Sequence, residues 1–378
     1  MNDPIIDAYS FPTDIRVGAG ARKLLPSFIE SLGLKRPLLV TDRGVAAQPF
    51  VADLAKLAGG IPVFSQMGGN PDESQVQAAL SAYRAAKADS IIAVGGGAPI
   101  DVAKALAIVA GNDGSLFDYA IDAEPAKAIE GPLPTIIALP TTAGTGSEVG
   151  RSTVISENDS HRKRILWSPS LLPKTVIADP ELLVGLPAKI TAATGMDALT
   201  HCVEAFLTPA EKNPMCDGIA LEGLRLASQH LKTSCESPQD LDARQGMLNA
   251  ALMGAVAFQK GLGAVHSCAH ALSTVADMHH GLANAIMIPF VMRFNEDACV
   301  GGFDRLADAA GAPNRNIIAW IENLRAEIGI PNYLSAAGVN PEHLERLAAV
   351  AAKDVCTPLN PKKITEQDFR GIFEEALG

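Results

Sequence analysis

Residues 91–104 read IIAVGGGAPIDVAK. The first four residues are β-branched or small and apolar, which predicts a buried strand, and the residues after the glycines have a helical pattern. Gly95, Gly96 and Gly97 form the turn between them. Glycine lets the backbone approach an anion closely, and the N–H groups at a helix start bind phosphate. The stretch predicts a phosphate-binding turn, with a purely structural turn as the alternative.

Apolar runs of the same kind recur through the first half of the chain and alternate with alanine-rich helical patterns. The predicted strands are residues 38–41, 61–64, 91–94, 135–138 and 176–178. Such alternation is typical of βαβ units and a largely parallel sheet covered on both faces, with ligands at the carboxyl ends of the strands. From about Leu186 onward only helical patterns remain. We therefore predict an α/β domain with a Rossmann-like parallel sheet at residues 1–184, followed by an all-helical domain at 185–378.

Two further features lie at predicted strand ends. The stretch PTTAGTGSE, residues 140–148, follows the strand at 135–138, and its hydroxyls and small residues suit a pyrophosphate or a nicotinamide amide. Asp42 follows the strand at 38–41. A carboxylate there can accept hydrogen bonds from ribose hydroxyls and would repel a 2′-phosphate, which favours NAD over NADP. The alternative role for Asp42 is that of a helix N-cap.

Composition excludes several classes of protein. The formal net charge of −11, without a clustered basic stretch, argues against nucleic acid as a partner. The six cysteines form no C-x-x-C pair, which favours a reducing cytoplasm. The N-terminal residues 1–4 carry an acid and a proline rather than a secretion signal, and no apolar run is long enough to span a membrane. We expect a soluble, cytoplasmic protein.

Histidines cluster in the second half. Asp197 and His201 are one helical turn apart, so both side chains lie on one helix face, and His266 and His270 have the same spacing. His280 supplies a third imidazole, with the adjacent histidine at 279 as its competitor. Three nitrogens and one carboxylate oxygen suit Fe²⁺ or Zn²⁺ better than Mg²⁺ or Ca²⁺. The H-x-x-x-H spacing lacks the glutamate of zinc-protease helices, which argues against hydrolysis.

Taken together, these segments resemble the iron-containing (group III) alcohol dehydrogenase family. The resemblance extends through nearly the whole chain and is carried by GGGAPIDVAKA, PTTAGTGSEV, ATGMDALTHCVEAF, GLGAVHSCAHALS, HHGLANAIMIPFVMRFN and CTPLNPKKIT. It implies the fold shared by iron-dependent alcohol dehydrogenases and dehydroquinate synthase. It also implies at least a homodimer, in line with the commonest closed assembly.

The resemblance also implies site residues. The metal ligands would be Asp197, His201, His266 and His280, with His270 unligated beside the nicotinamide as the catalytic residue. The dinucleotide would contact Asp42, Asn70, Gly96, Gly97, Ala98, Thr141, Thr142, Thr145 and Lys163. This chain departs from the family pattern at Ala98, where serine is usual. The usual pocket phenylalanine is replaced by Ala257, with Phe258 one place later, which bears on substrate size.

The expected reaction is hydride transfer between a small alcohol or aldehyde and NAD(H). The cation would act as a Lewis acid on the substrate oxygen, and His270 would relay the released proton. One alternative is a reductase for a carboxylated substrate of the 4-hydroxybutyrate or maleylacetate type. A lyase of the dehydroquinate synthase type would need several basic residues near the metal motifs, where mainly Lys260 is found. A non-catalytic nucleotide- or metal-binding protein would transfer no hydride to any substrate.

Overall fold

The computed structural model of the protein describes residues 13–160, 162–209 and 213–378. Residues 1–4, on which the expectation of no secretion signal is based, lie outside this part of the chain. The described residues form two compact units. One comprises residues 13–142 and 146–186, and the other comprises residues 143–145 and 187–378.

The first unit is an α/β unit. Its strands are β1 Asp14–Val17, β2 Pro37–Val40, β3 Val63–Phe64, β4 Ser90–Gly95, β5 Thr135–Pro140, β6 Ser152–Ser156, β7 Lys163–Trp167 and β8 Thr175–Ala178. Its helices are α1 Leu25–Ser31, α2 Arg43–Ala46, α3 Pro49–Leu57, α4 Glu73–Ala85 and α5 Gly97–Gly111.

Six of these strands form a parallel sheet in the order β1-β8-β5-β4-β2-β3. The predicted parallel sheet is thus confirmed. Two features are not predicted from the sequence. Strand β1 lies at the sheet edge, alternates between exposed and half-buried residues and includes two charged side chains. The antiparallel hairpin of β6 and β7 consists of residues that are largely polar or half-buried.

The core of this unit lies between the sheet and its helices. Every residue of β2, β4 and β8 is buried, which explains why these strands are apolar runs rather than alternating patterns. Ile91 and Ala93 of β4 belong to one apolar cluster with Val102 and Leu106 of α5. The helix that follows the glycine-rich turn is therefore held firmly by packing along its length.

The second unit is helical, and the described residues after β8 contain no further strand. Its helices are α6 Ala188–Leu207, α7 Pro214–Glu236, α8 Leu241–Ala257, α9 Ala264–Ala276, α10 His280–Asn295, α11 Gly302–Ala310, α12 Ile317–Glu327, α13 Leu344–Ala351 and α14 Glu366–Leu377. The predicted change from alternating strands and helices to helices alone is confirmed. Among the described helices, none has both the length and the apolar character that crossing a bilayer requires.

Helix α6 is central to this unit. It is buried from Thr191 to Phe206 and packs against α7, α8 and α10. Close approach depends on glycine: a Cβ at Gly281 of α10 would lie 2.3 Å from the carbonyl oxygen of Ala193. A Cβ at Gly254 of α8 would lie 3.0 Å from the carbonyl oxygen of Ala198, also on α6. Small residues at these contacts bring neighbouring helices close to α6.

Candidate active site

The glycine-rich turn after β4 requires glycine for two steric reasons. Gly95 has φ +148°, and a Cβ there would lie 2.5 Å from Cγ of Pro99. Gly96 is the N-cap of α5, and a Cβ there would lie 3.1 Å from the side chain of Thr142. Gly97 and Ala98 begin the helix. Backbone N–H groups in a first helical turn lack intrahelical acceptors, so this turn can donate to an anion.

The parallel sheet brings three predicted nucleotide-binding segments to one edge. Strands β5, β4 and β2 are neighbours, and they are followed by Thr141, Gly96 and Asp42 respectively. The backbone N–H of Thr141 donates to the carbonyl oxygen of Gly95 at 3.0 Å. Asp42 caps α2, because its Oδ1 accepts from the backbone N–H of Val45 at 2.8 Å. The N-cap role considered for Asp42 therefore applies, and its contact with a ribose stays a prediction.

The hairpin brings Lys163 towards the segment that contains Asn70. Lys163 pairs with Ser156 across the two strands. The backbone N–H of Ser156 donates to the carbonyl oxygen of Pro71 at 2.9 Å. These two contacts place two predicted nucleotide-binding residues, far apart in sequence, in one region of the α/β unit.

Thr145 is grouped differently from the other predicted nucleotide-binding residues. Residues 143–145 belong to the helical unit, whereas Thr141 and Thr142 belong to the α/β unit. The neighbouring Gly144 packs so closely on Thr194 of α6 that a Cβ would lie 2.7 Å from its side chain and its carbonyl oxygen. The stretch 140–148 is thus shared between the two units.

A buried lysine holds the end of the same stretch. Nζ of Lys104, on α5, donates to the carbonyl oxygens of Ser147, Gly150 and Ser152 at 2.6–2.9 Å. Burial lowers the pKa of Lys104 to about 8, although the negative charges of Asp101 and Glu148 oppose this shift. Burial also raises the pKa of one of these acids, Glu148, to about 7. The helix that begins at the glycine-rich turn is in this way tied to the second loop.

The helical unit brings together the four predicted metal ligands. Oδ1 of Asp197 lies 3.8 Å from Nε2 of His201, 3.8 Å from Nε2 of His266 and 3.5 Å from Nε2 of His280. Ligand atoms about 2.1 Å from a shared tetrahedral ion lie about 3.4 Å apart, which is close to these separations from Asp197. The ligand atoms of Asp197, His201 and His266 all lie within 4.8 Å of one another, and His280 joins this group through Asp197. His279, the competitor of His280, is exposed. The donor set and its spacing fit Fe²⁺ or Zn²⁺.

Burial supports the same interpretation. Asp197 and His266 are 1% exposed and His201 is 3% exposed. Burial lowers the pKa of His201 to about 4, so the ring is neutral at pH 7 and keeps a nitrogen lone pair. A buried carboxylate carries a large desolvation cost unless a positive charge compensates it. A divalent cation would supply that charge.

Three polar residues at the site were missed by sequence analysis. The first is Glu204 on α6, whose Oε2 lies 2.5 Å from Nδ1 of His266. Its Oε1 accepts from the backbone N–H of Val265 at 2.8 Å, in the first turn of α9. Its signal was present in the sequence, because Glu204 follows His201 by three residues and so lies on the same helix face. The second, Asn284, follows His280 by one turn of α10.

The third is Asp354, which follows α13. Its Oδ2 lies 2.8 Å from Nδ1 of His270, and its Oδ1 accepts from the backbone N–H of Cys356 at 3.0 Å. Burial alone would raise the pKa of Asp354. The charge of His270 and these hydrogen bonds outweigh that effect and lower the pKa to about 2. The ring of His270 stacks on that of His280, with centroids 5.4 Å apart. Nothing in the local sequence around Asp354 indicated this contact.

Phe258 lies beside His201, one of the four predicted metal ligands. Its ring centroid lies 5.0 Å from that of His201, whereas Ala257 is completely buried. Lys260, the basic residue considered for a phosphorylated substrate, is paired with Asp217 at 2.6 Å and its side chain is 5% exposed. Phe258, rather than Ala257, is therefore the residue that bears on substrate size, and Lys260 has a partner within the protein.

Comparison with known proteins agrees with this geometry. The profile described as iron-containing alcohol dehydrogenase matches residues 12–180, and that of the C-terminal part of the same family matches residues 191–377. The chain is 42% identical to 4-hydroxybutyrate dehydrogenase of Cupriavidus necator, over 97% of this chain and 98% of the relative.

Two solved structures are also similar over nearly the whole chain. A 1,3-propanediol oxidoreductase has a TM-score of 0.94 and 35% identity, covering 99% of this chain and 100% of that one. Sulfoacetaldehyde reductase from Bifidobacterium kashiwanohense, solved with NAD⁺, has a TM-score of 0.91 and 29% identity, covering 99% of both chains. The expected family resemblance is confirmed by matches to both halves of the chain. The chain therefore belongs to the iron-containing alcohol dehydrogenase family.

Proposed function

We propose that this protein interconverts a small alcohol and its aldehyde, using NAD(H) and one divalent cation. The observation that carries the proposal is the convergence of three imidazoles on the buried carboxylate of Asp197 in the helical unit. The glycine-rich turn at the carboxyl edge of the parallel sheet supports dinucleotide binding. We assign dinucleotide binding to residues 1–184 and metal binding and catalysis to residues 185–378.

Asp197, His201, His266 and His280 would hold the cation, which we propose to be Fe²⁺, with Zn²⁺ as the alternative. A bound cation would supply Lewis-acid polarisation of the substrate oxygen, which favours the alkoxide over the alcohol. The family name supports iron, and the borderline donor set accommodates either ion. The buried position of Asp197 and His266 keeps water away from the donor atoms.

The proposed dinucleotide site consists of Asp42, Asn70, Gly96, Gly97, Ala98, Thr141, Thr142, Thr145 and Lys163. NAD bound there would accept or donate the hydride. The first turn of α5 would donate backbone N–H groups to the pyrophosphate, and loss of the usual serine hydroxyl at Ala98 leaves these donors intact. The carboxylate of Asp42 favours NAD over NADP, and the NAD⁺ complex of the sulfoacetaldehyde reductase is in line with this preference.

His270 is the proposed proton acceptor. Its Nδ1 faces the carboxylate of Asp354 at 2.8 Å, which favours the tautomer with the proton on Nδ1. Nε2 then has the lone pair that can accept a proton from the alcohol. Asp354 therefore acts on the reaction through the orientation and tautomer of His270.

A specific observation favours a carboxylated substrate as the second candidate. The 42% identity with a 4-hydroxybutyrate dehydrogenase extends over 98% of that relative. The 1,3-propanediol oxidoreductase, by contrast, is named for an uncharged diol. Comparison of kcat/KM for succinic semialdehyde, 3-hydroxypropanal and propanal would separate the two candidates. A preference of tenfold or more for the carboxylated aldehyde would favour the second.

The proposal is tested by metal analysis together with NADH absorbance. The purified protein should hold one Fe²⁺ or Zn²⁺ per chain and consume NADH with at least one aldehyde of the panel. His280→Ala should lose both the metal and turnover. A metal-free His280→Ala protein with full activity, or a wild type inactive with every aldehyde and alcohol tested, would contradict the proposal.

We also propose that the protein works in the cytoplasm as a homodimer or higher homo-oligomer. All six cysteines are buried free thiols, which is compatible with a reducing compartment. Light scattering coupled to size-exclusion chromatography would measure the assembly directly. A monomer at micromolar concentration would contradict the oligomeric part.

A further inference from the structure

Lys104 is a completely buried lysine to which the proposed mechanism gives no role. It lies on α5, the helix that the glycine-rich turn opens. Its Nζ donates to the carbonyl oxygens of Ser147, Gly150 and Ser152 at 2.6, 2.9 and 2.8 Å, and the hydroxyl oxygen of Ser147 lies further away, at 3.2 Å. An ammonium group has three hydrogens, so the three carbonyls use all of its donors. The lysine therefore holds the backbone of one loop at three points.

Asp101 holds the same stretch from the preceding turn of α5. It comes three residues before Lys104, so both side chains lie on one helix face. Oδ1 of Asp101 accepts from the hydroxyl of Ser147 at 2.5 Å, and Oδ2 accepts from the backbone N–H of Val154 at 3.1 Å. Its backbone carbonyl accepts from the hydroxyl of Thr153 at 2.8 Å. One face of α5 thus fixes residues 147–154, which include the start of β6.

The chain on both sides of these attachment points carries proposed dinucleotide contacts. Thr142 precedes them in the stretch 140–148, and Lys163 follows them on β7, which pairs along its length with β6. Gly97 is the first residue of α5 itself. All of these residues belong to the α/β unit. Because a dinucleotide would contact the three segments at once, its affinity depends on how firmly they are held in place before it binds.

The charge of Lys104 matters for this contact. Burial lowers its pKa to about 8, so the ammonium form, with its three hydrogens, predominates at pH 7. Without Nζ, three buried or partly buried carbonyl oxygens would lose their donor. Unpaired polar groups of this kind carry a desolvation cost, and the loop would shift to find other donors or water.

We propose that Lys104 is a positioning residue of the dinucleotide site. By holding residues 147–152 against α5, it keeps the loop that contains Thr142 and the hairpin that contains Lys163 in place beside the glycine-rich turn. Lys104 is completely buried and would act through this loop rather than by touching the cofactor. The inference rests on the proposed function, because it assumes that NAD(H) binds to these segments.

Lys104→Met tests the inference, because methionine fills most of the same buried space and has no donor. The dissociation constant of NADH would be measured by fluorescence titration. We expect binding to weaken about 10-fold or more, equivalent to the loss of about one hydrogen bond to the charged cofactor. Affinity within threefold of the wild type would overturn the proposal. If the methionine variant does not fold, Lys104→Gln serves with the same criterion, since its amide has two hydrogens for three carbonyls.

Arg325→Met is the matched control. Arg325, on α12 of the helical unit, is 3% exposed, and its guanidinium donates to the carbonyl oxygens of Ile286 and Asn332 at 2.9 and 3.3 Å. The substitution also removes a buried cation bound to backbone carbonyls, but neither carbonyl belongs to a segment with proposed dinucleotide contacts. We expect its NADH affinity to stay within threefold of the wild type. A loss as large as that of Lys104→Met would show that removing any buried cation has this effect, and would overturn the specific role of Lys104.

A second measurement separates positioning from a general loosening of the protein. The affinity of metal-stripped Lys104→Met for Zn²⁺ would be measured by competition with a chromophoric chelator, beside the KM for NADH of the metal-loaded protein. We expect the KM for NADH to rise about 10-fold and the Zn²⁺ affinity to stay within threefold of the wild type. Equal losses in both quantities would overturn the inference. If the wild type itself does not bind NADH, the proposed function fails instead.

Discussion

Two of the imidazoles proposed to touch the metal or the substrate are oriented by a carboxylate. His266 is held by Glu204, and His270 is held by Asp354. In both pairs the carboxylate faces Nδ1 of the ring, which leaves Nε2 for the metal or for the substrate proton. At the scale of single residues, the site therefore depends on tautomers as much as on residue types.

Glu204→Ala should weaken metal binding by about 10- to 100-fold. The substitution removes the acceptor at Nδ1 of His266 and leaves buried backbone N–H groups in the first turn of α9 without their carboxylate. Zn²⁺ affinity measured by chelator competition would show the loss. Glu222→Gln, on the surface of α7, provides the control and should bind as the wild type does. Wild-type affinity in Glu204→Ala would contradict the orienting role.

Asp354→Asn should lower kcat by about 100- to 10,000-fold while the metal content stays that of the wild type. An asparagine can present its NH₂ group to Nδ1 of His270 and so favour the opposite tautomer, with the proton on Nε2. Steady-state kinetics and metal analysis on the same preparation would measure both quantities. An unchanged kcat would argue against a proton-relay role for the pair.

At the scale of elements, the site depends on how closely α10 approaches α6. These helices contribute His280 and Asp197, whose facing atoms are 3.5 Å apart. Gly281 follows His280 directly, and its Cα lies against the backbone of α6 at Ala193. A glycine at this contact therefore controls the separation of two proposed ligands.

Gly281→Ala should reduce both stability and metal affinity. The added Cβ would lie 2.3 Å from the carbonyl oxygen of Ala193, and a backbone atom cannot rotate away. We expect a loss of about 1–3 kcal/mol in the free energy of unfolding, together with weaker Zn²⁺ binding. Urea denaturation and chelator competition would measure the two effects.

Gly218→Ala is the control for this prediction. Gly218 is an exposed glycine in α7 with no atom within 4 Å of an added Cβ. Alanine there should raise stability, by up to about 1 kcal/mol, because alanine favours the helix over glycine. If Gly281→Ala behaves like this control, the close contact does not determine the helix separation.

At the scale of the whole molecule, buried charges make stability depend on pH. Burial raises the pKa of Glu148 to about 7, against an ordinary value of 4.5. Between these values the folded protein keeps a proton that the unfolded chain has released. The stabilisation from Glu148 is therefore fully present below pH 4.5 and is lost as the pH rises to 7. This loss lowers the free energy of unfolding by about 3 kcal/mol at most.

Glu148→Gln should flatten the dependence of stability on pH between 5 and 7 and raise stability at pH 8. The amide has no charge to desolvate, and Oε1 of Glu148 is buried without a hydrogen-bond partner. Urea denaturation at several pH values would measure the slope. Glu130→Gln, at an exposed position, should keep the slope of the wild type. The same slope in Glu148→Gln would show that this carboxyl does not cause the pH dependence.

As a member of its family, the protein is an oxidoreductase that acts on CH–OH groups. Features that depend on local sequence could be predicted. The strands of the sheet interior are continuous apolar runs because both of their faces are buried. Asp197 and His201 share a helix face because they are four residues apart, and Gly95 is required because a Cβ there would meet Pro99, four residues later.

Only the tertiary structure decided the features that depend on distant partners. Strand β1 exists because β8, some 160 residues later, pairs with it. The alternation of exposed and half-buried residues in β1 is too weak a local signal. Asp354 and Asn284 reach His270 and Asp197 from other helices or loops, over separations of 84 and 87 residues. Sequence periodicity describes which face of an element is buried, whereas the partners on that face are determined by packing.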